Sequence, residues 1–416
     1  MDKLKNKISR YESYILYSSP VVTSSILSFA CNLFIVVKLL GLDGYGRLSL
    51  YLLLGGLFSE LSSLPIAPLK GLLNSKIINS NNSKAIAFYS ELVLKIILFL
   101  AVLTSLSIYT TTSPNSVNYI DIRIIILSLL ATFHNTGRGF ILYQLSCESK
   151  TKYFAVLELS TLCMPIIGGI IGLIISPDLL HFFIARSIVS LILFIYIGLS
   201  IQCDYKLIIN NIKQLSKSLF SILLLGYEST ILEQGLDLAT RITIQGELSP
   251  TALGVYSFLL AASMPLQMIT SSFSKILRNT IIKKINQNEK IEINIVLKRM
   301  LPKILLLSLL PLTFMIIYTI YNNFWSISTL IAISIALITR SITSLGGPLT
   351  DIISLLNYRS VLRNSLRVST GVYIAWLLIF ANNLITFTFG LLIRAIIVFC
   401  YRYILCRKII INNEYI

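Results

Sequence analysis

The chain has 416 residues, of which 55% are hydrophobic and 13% charged, and its mean hydropathy is +0.80. A soluble domain carries about 25% charged residues, so a water-soluble globular protein is excluded and an all-α, polytopic membrane protein is expected. The net charge of +17 is dispersed through short segments between apolar stretches, with no basic domain set apart, which argues against nucleic acid as a partner.

The N-terminal MDKLKNKISRYESYILYSSP has the charge of a signal peptide, but no small-residue cleavage site follows its apolar run. It reads as an uncleaved first span. Stretches long enough to cross a bilayer as helices fall at about 14–40, 46–68, 85–109, 122–146, 154–175, 181–203, 218–244, 253–275, 301–321, 326–346, 368–381 and 384–401. Twelve spans put both termini on one side. Lys and Arg decide which side: twenty-four lie in the segments on the side of the N-terminus, whereas the opposite segments carry Arg47 alone. Both termini are therefore expected in the cytoplasm, and most of the +17 marks topology. A weak internal repeat pairs Lys38 and the Gly46 to Ser49 cluster with Arg241 and the Gly254 to Ser257 cluster. The expectation is two six-helix lobes, 1–204 and 205–416, with a substrate site between the halves.

The outer loops are short, the longest being 110–121, which leaves no room for a soluble catalytic domain. No enzyme activity and no cofactor are expected, and no GxxxxGK[ST] loop is present to hold ATP. The six cysteines form no CxxC pair and the two histidines have no ligand-spaced neighbours, so neither a disulfide framework nor a metal site is expected.

Ionisable residues at membrane depth cost about 2.5–3.5 kcal/mol each on insertion scales and are functional candidates by default. Lys95 lies one turn from Glu91 and reads as a self-neutralised pair, and Lys275, Lys303, Glu158 and Asp351 read as snorkelling near cytoplasmic ends. The rest carry more information. At 100° per residue, Arg123, His134 and Arg138 in span four fall within about 60° of one another and form one cationic stripe. Arg186, Arg340 and Arg394 have no carboxylate one turn away. In span seven, Glu233, Asp237 and Arg241 are spaced four apart, while Glu228 points elsewhere. Two readings of these charges stand side by side: interhelical ion pairs, or a hydrated lumen whose surplus guanidinium forks bind an anion. The glycines Gly168, Gly169 and Gly172 read as a helix-packing face.

The stretches GLDGYGRLSLYLLL and ELSPTALGVYSFLLAASMPLQMITSSFSKILRN, with LGGPLTDIISLLNYRSVLRNS near span ten, resemble Wzx-type O-antigen flippases of the multidrug/oligosaccharidyl-lipid/polysaccharide exporter superfamily. That resemblance implies two helical bundles around a central cavity, in the cytoplasmic (inner) membrane of a bacterium. It also implies translocation of an undecaprenyl-pyrophosphate-linked oligosaccharide, an O-antigen or capsule repeat unit, from inner to outer leaflet by alternating access. Its partners would be the lipid-linked oligosaccharide diphosphate, membrane lipids, a proton or sodium ion, and polymerase and chain-length regulator proteins. In this frame Arg138, Arg340, Arg394, Arg186, Arg241, Arg123 and His134 are the expected substrate-binding residues. Glu233, Asp237, Glu60 and Glu228 are the expected ion-coupling residues. A multidrug or small-solute antiporter of the same superfamily is the alternative, and an O-antigen polymerase or ligase the enzymatic rival.

Overall fold

The computed structural model describes residues 30–63, 80–112, 121–147, 150–201, 230–261, 327–355, 359–380 and 382–412, with scattered single positions at 19–28, 227–228, 263 and 302–316. Every element among the described residues is helical. Among the described residues, six helical segments are long and apolar enough to cross a membrane: Ala87–Ile108, Ile122–Leu142, which is broken midway, Thr151–Ile175, Leu179–Leu199, Leu330–Gly347 and Leu384–Lys408. The chain is an all-α, multi-pass membrane protein. Nearly all of the expected span at 301–321, parts of those at 14–40, 46–68, 218–244 and 253–275, and the expected lobe boundary between 204 and 205 lie outside the described residues.

The chain divides into two compact units, Met1–Leu238 and Ala239–Ile416. The first opens with a π-helical segment, Asn32–Val36, that leads into α1 (Val37–Leu61). Within α1 the helical path is interrupted at Gly41 (φ 69°, ψ −179°), a left-handed backbone that only glycine takes without strain. This is where the sequence predicts the turn between its first two spans. Then come α2 (Ser80–Thr112), α3 (Ile122–Leu130), α4 (Arg138–Cys147), α5 (Thr151–Ile175), α6 (Leu179–Leu199) and a π-helical turn, Ile231–Gly235. The unit boundary falls inside α7 (Leu236–Glu247).

Two helix starts in this unit are set by aspartates. Asp121 accepts from the Arg123 backbone N–H at 2.9 Å, and Asp178 from that of His181 at 2.8 Å, each filling one of the orphan donors at a helix N-terminus. The tight packing of α5 on α6 is allowed by the predicted glycine face. A Cβ on Gly172 would collide with the His181 carbonyl, one on Gly169 would lie 2.5 Å from the Phe182 ring, and one on Gly168 would lie 2.8 Å from Val189 Cγ2. Small residues therefore bring the two backbones together. The opposite faces of these helices expose Ile171, Ile174 and Ile175 on α5 and Ile188, Ile192 and Ile195 on α6, the side chains that lipid would solvate.

The second unit holds α8 (Pro250–Ala261), α9 (Ile327–Leu355), α10 (Arg359–Phe380) and α11 (Leu384–Asn412), with α9 and α10 both packed on α11. Trp376 Nε1 donates to the Thr386 carbonyl at 2.9 Å and ties the α10–α11 hairpin. The Tyr373 hydroxyl, fully buried, meets Thr240 Oγ1 at 3.1 Å.

Candidate functional site

The sequence predicts one continuous span over 122–146, but the structure breaks it. Helix α3 ends at Leu130, a single 3-10 turn covers Phe133–Asn135, Thr136 is extended (ψ 123°), and Gly137 is left-handed (φ 68°) before α4 begins at Arg138. The cause is local. In TFHNTG, threonine and asparagine side chains compete with the helix for backbone partners, as when Thr132 Oγ1 donates to the Leu129 carbonyl at 2.7 Å. Gly137 then allows the positive φ, and a Cβ there would lie 2.8 Å from the Phe88 ring. Non-helical backbone at membrane depth is tolerated only where protein buries it or where it lines a hydrated space. Here protein buries it: Ala131, Thr132, Phe133, His134, Thr136 and Gly137 are all buried.

The expected single stripe of Arg123, His134 and Arg138 is corrected by this break, because 100° per residue no longer relates the three positions. Arg123 is exposed at the start of α3 and pairs with Asp121 at 2.8 Å. The side-chain hydrogen bond from Arg123 holds the Asp121 carboxyl below the usual carboxylate range. His134, 5% exposed, turns inward, where its Nδ1 lies 2.8 Å from Ser190 Oγ on α6. Arg138 pairs with Glu158 of α5 at 3.7 Å and donates to Asn135 Oδ1 at 3.4 Å. Asn135 Nδ2 in turn donates to Ser59 Oγ on α1 at 3.2 Å.

Three residues read as bland from the sequence belong to the same place. Lys95 of α2, 1% exposed, donates to the Thr132 carbonyl and to Thr136 Oγ1, each at 3.1 Å, and its ammonium lies 5.6 Å from the centre of the Phe133 ring. Glu91 Oε2 accepts the Gly137 backbone N–H at 2.5 Å. Glu158, read as snorkelling, is the counter-charge of Arg138. The signal for this site lay in TFHNTGRG, a run of turn-forming residues inside an apolar span.

Lys95, Arg138 and Arg186 all lie within electrostatic range of His134. Arg186 of α6 stacks its guanidinium over the Phe182 ring at 5.9 Å, and no carboxylate among the described residues forms an ion pair with it. Among the described residues around the break, three fixed cations therefore stand with two acids, Glu91 and Glu158.

A second polar group lies in the same unit. The π-helical turn Ile231–Gly235, which carries Glu233, packs on α1. Gln234 comes within hydrogen-bonding reach of the Glu60 carboxylate, and Glu233 is near enough to act on it electrostatically. Two expected ion-coupling residues, Glu60 and Glu233, are thus brought together, both exposed on the protein. Glu228, Asp237 and Arg241 are half-buried and each is engaged by other groups. In the second unit, Arg340 Nε donates to Ser263 Oγ at 3.2 Å, and Arg394 is half-buried on α11. Arg402, counted as a loop cation from the sequence, reaches inward to Thr350 Oγ1 at 2.7 Å and Ser365 Oγ at 3.0 Å.

No family model matches the chain, and no curated protein matches it. Solved structures do. A mutant of the Vibrio cholerae MATE transporter VcmN superposes with a TM-score of 0.57 at 15% identity, covering 96% of this chain and 97% of that one. The eukaryotic MATE transporter AtDTX14 superposes with a TM-score of 0.52 at 14% identity, covering 97% of this chain and 96% of that one. Over almost its whole length, this chain has the fold seen in those MATE transporters.

Proposed function

We propose that the chain is an alternating-access transporter whose cargo is an anionic lipid-linked oligosaccharide diphosphate, moved between the leaflets of a bacterial cytoplasmic membrane. The observation that carries the reading is Arg186. It stands in a membrane span as a half-buried guanidinium without a carboxylate ion-pair partner among the described residues, and it shares the electrostatic surroundings of His134 with two further cations, Lys95 and Arg138. An unmatched guanidinium at that depth is stabilised by a hydrated space and by phosphate oxygens, which its planar fork fits. Arg340 and Arg394 supply further cations in the second unit. Glu60 on α1 and Glu233 on the π-helical turn, within electrostatic range of each other, are the proposed coupling groups. A carboxylate can change its charge between two states whereas arginine cannot.

The second reading, a small-solute antiporter of the same superfamily, draws on the likeness to MATE transporters, which supports it more directly than it supports the flippase. An excess of fixed cations speaks against cationic drugs as its cargo. Reconstituted vesicles separate the two. The flippase reading expects protein-dependent transfer of a fluorescent polyprenyl-diphosphate oligosaccharide, at least tenfold slower in Arg186→Gln than in wild type. Counter-gradient efflux of a small solute without any lipid transfer would establish the antiporter instead.

A further inference from the structure

We propose that the broken segment between α3 and α4 forms a monovalent-cation site occupied permanently from within, with Lys95 as a tethered resident cation. The ligand set is the observation. The Lys95 ammonium is held by a backbone carbonyl (Thr132), a hydroxyl (Thr136 Oγ1) and the face of Phe133, within the field of the Glu91 carboxylate. Oxygen donors, a nearby carboxylate and a π face are what sodium, potassium or an ammonium ion selects.

An ordinary Glu–Lys pair along one helix turn would look different. Glu91 Oε2 is committed to the Gly137 N–H at 2.5 Å, and the two hydrogen bonds of Lys95 run to another element, 37 and 41 residues away in sequence. Together the two side chains of α2 clamp the break: Lys95 holds it near both ends, at Thr132 and Thr136, and Glu91 holds its last residue, Gly137. Phe133 is fixed from the other side by Phe194 and Phe99, edge to face at 5.8 and 6.3 Å. The segment is therefore organised around a positive charge that cannot dissociate. A transporter built this way needs no dissolved ion at this point to keep the broken helix in shape, whatever its cargo.

The test is the melting temperature of the purified full chain in detergent, in choline chloride and then with added sodium, potassium or propylammonium chloride. Lys95→Ala opens a hole lined by the Thr132 and Thr136 oxygens. Its melting temperature is expected to fall by roughly 5 °C or more, and to recover at least half of the loss with saturable dependence on one of the added cations, beyond any shift the same salt gives the wild type. Lys95→Met fills the hole without charge and is expected to fall without recovery. Wild-type stability in Lys95→Met, or no saturable recovery of Lys95→Ala by any of the three cations, overturns the proposal. Should Lys95→Ala not accumulate, Lys95→Gln decides, because it keeps hydrogen-bond donors and loses the charge. A melting temperature equal to wild type then overturns the proposal, and a loss supports it.

Discussion

Replacing Glu158 by alanine leaves Arg138 in place with its counter-charge removed. The two charges are 3.7 Å apart, and their side chains are only 12% and 19% exposed. At an effective dielectric of about 20, their attraction is about 4.5 kcal/mol before desolvation is subtracted. Deleting one member of a buried pair costs about 3–5 kcal/mol because the other stays buried and unmatched. Partial exposure and the Asn135 hydrogen bond place Glu158→Ala near the lower end, about 3 kcal/mol. Arg138→Ala should cost a similar amount, and the double replacement much less than the sum of the two. A double-mutant cycle on purified protein, read by thermal or denaturant unfolding, should give a coupling of about 1–3 kcal/mol. Transport assayed on the same variants separates packing from binding. If Arg138 only balances Glu158, the double variant regains transport along with stability; if Arg138 also binds cargo, it regains stability alone. Additive single effects, with coupling below about 0.5 kcal/mol, would refute the ion-pair account and leave Arg138 to cargo or water.

Gly172→Ala should destabilise the first unit by about 1–3 kcal/mol, because the new Cβ meets the His181 backbone, which cannot rotate aside. Gly56→Ala in α1, where a Cβ finds open space, should be neutral or slightly stabilising in the same unfolding assay. Asp121 gives a pH signature. Its folded carboxyl is held below the unfolded value by the Arg123 side-chain hydrogen bond, so its contribution is present above the unfolded pKa and is lost as pH falls through the folded one. Melting curves of wild type and Asp121→Asn should therefore differ at neutral pH and converge in acid. A constant gap down to the lowest pH at which the protein stays folded would remove the linkage.

Hydropathy and length determined the architecture by themselves, because a bilayer admits few backbones and apolar runs of sufficient length are read directly. The spans at 154–175 and 181–203 coincide closely with α5 and α6, and the glycines at 168, 169 and 172 were legible as a packing face because a missing Cβ has one geometric meaning. The turn at Gly41 was legible for the same kind of reason, a residue type suited to a backbone that others avoid. The interior polar arrangement was not. Reading 122–146 as one helix put Arg123, His134 and Arg138 on a shared face, and seven residues of turn chemistry sent them to the surface, to Ser190 and to Glu158. Lys95 and Glu91 look self-contained at one helical turn, yet each spends its hydrogen bonds on the broken segment, a partner that exists only once α2 lies beside it. Glu60 and Glu233 are far apart in sequence and come within electrostatic range because the π-helical turn packs on α1. Charge content in a membrane span is a local property that sequence reports. Which charges neutralise one another depends on a few ångströms of packing between helices, and only the tertiary structure decides that.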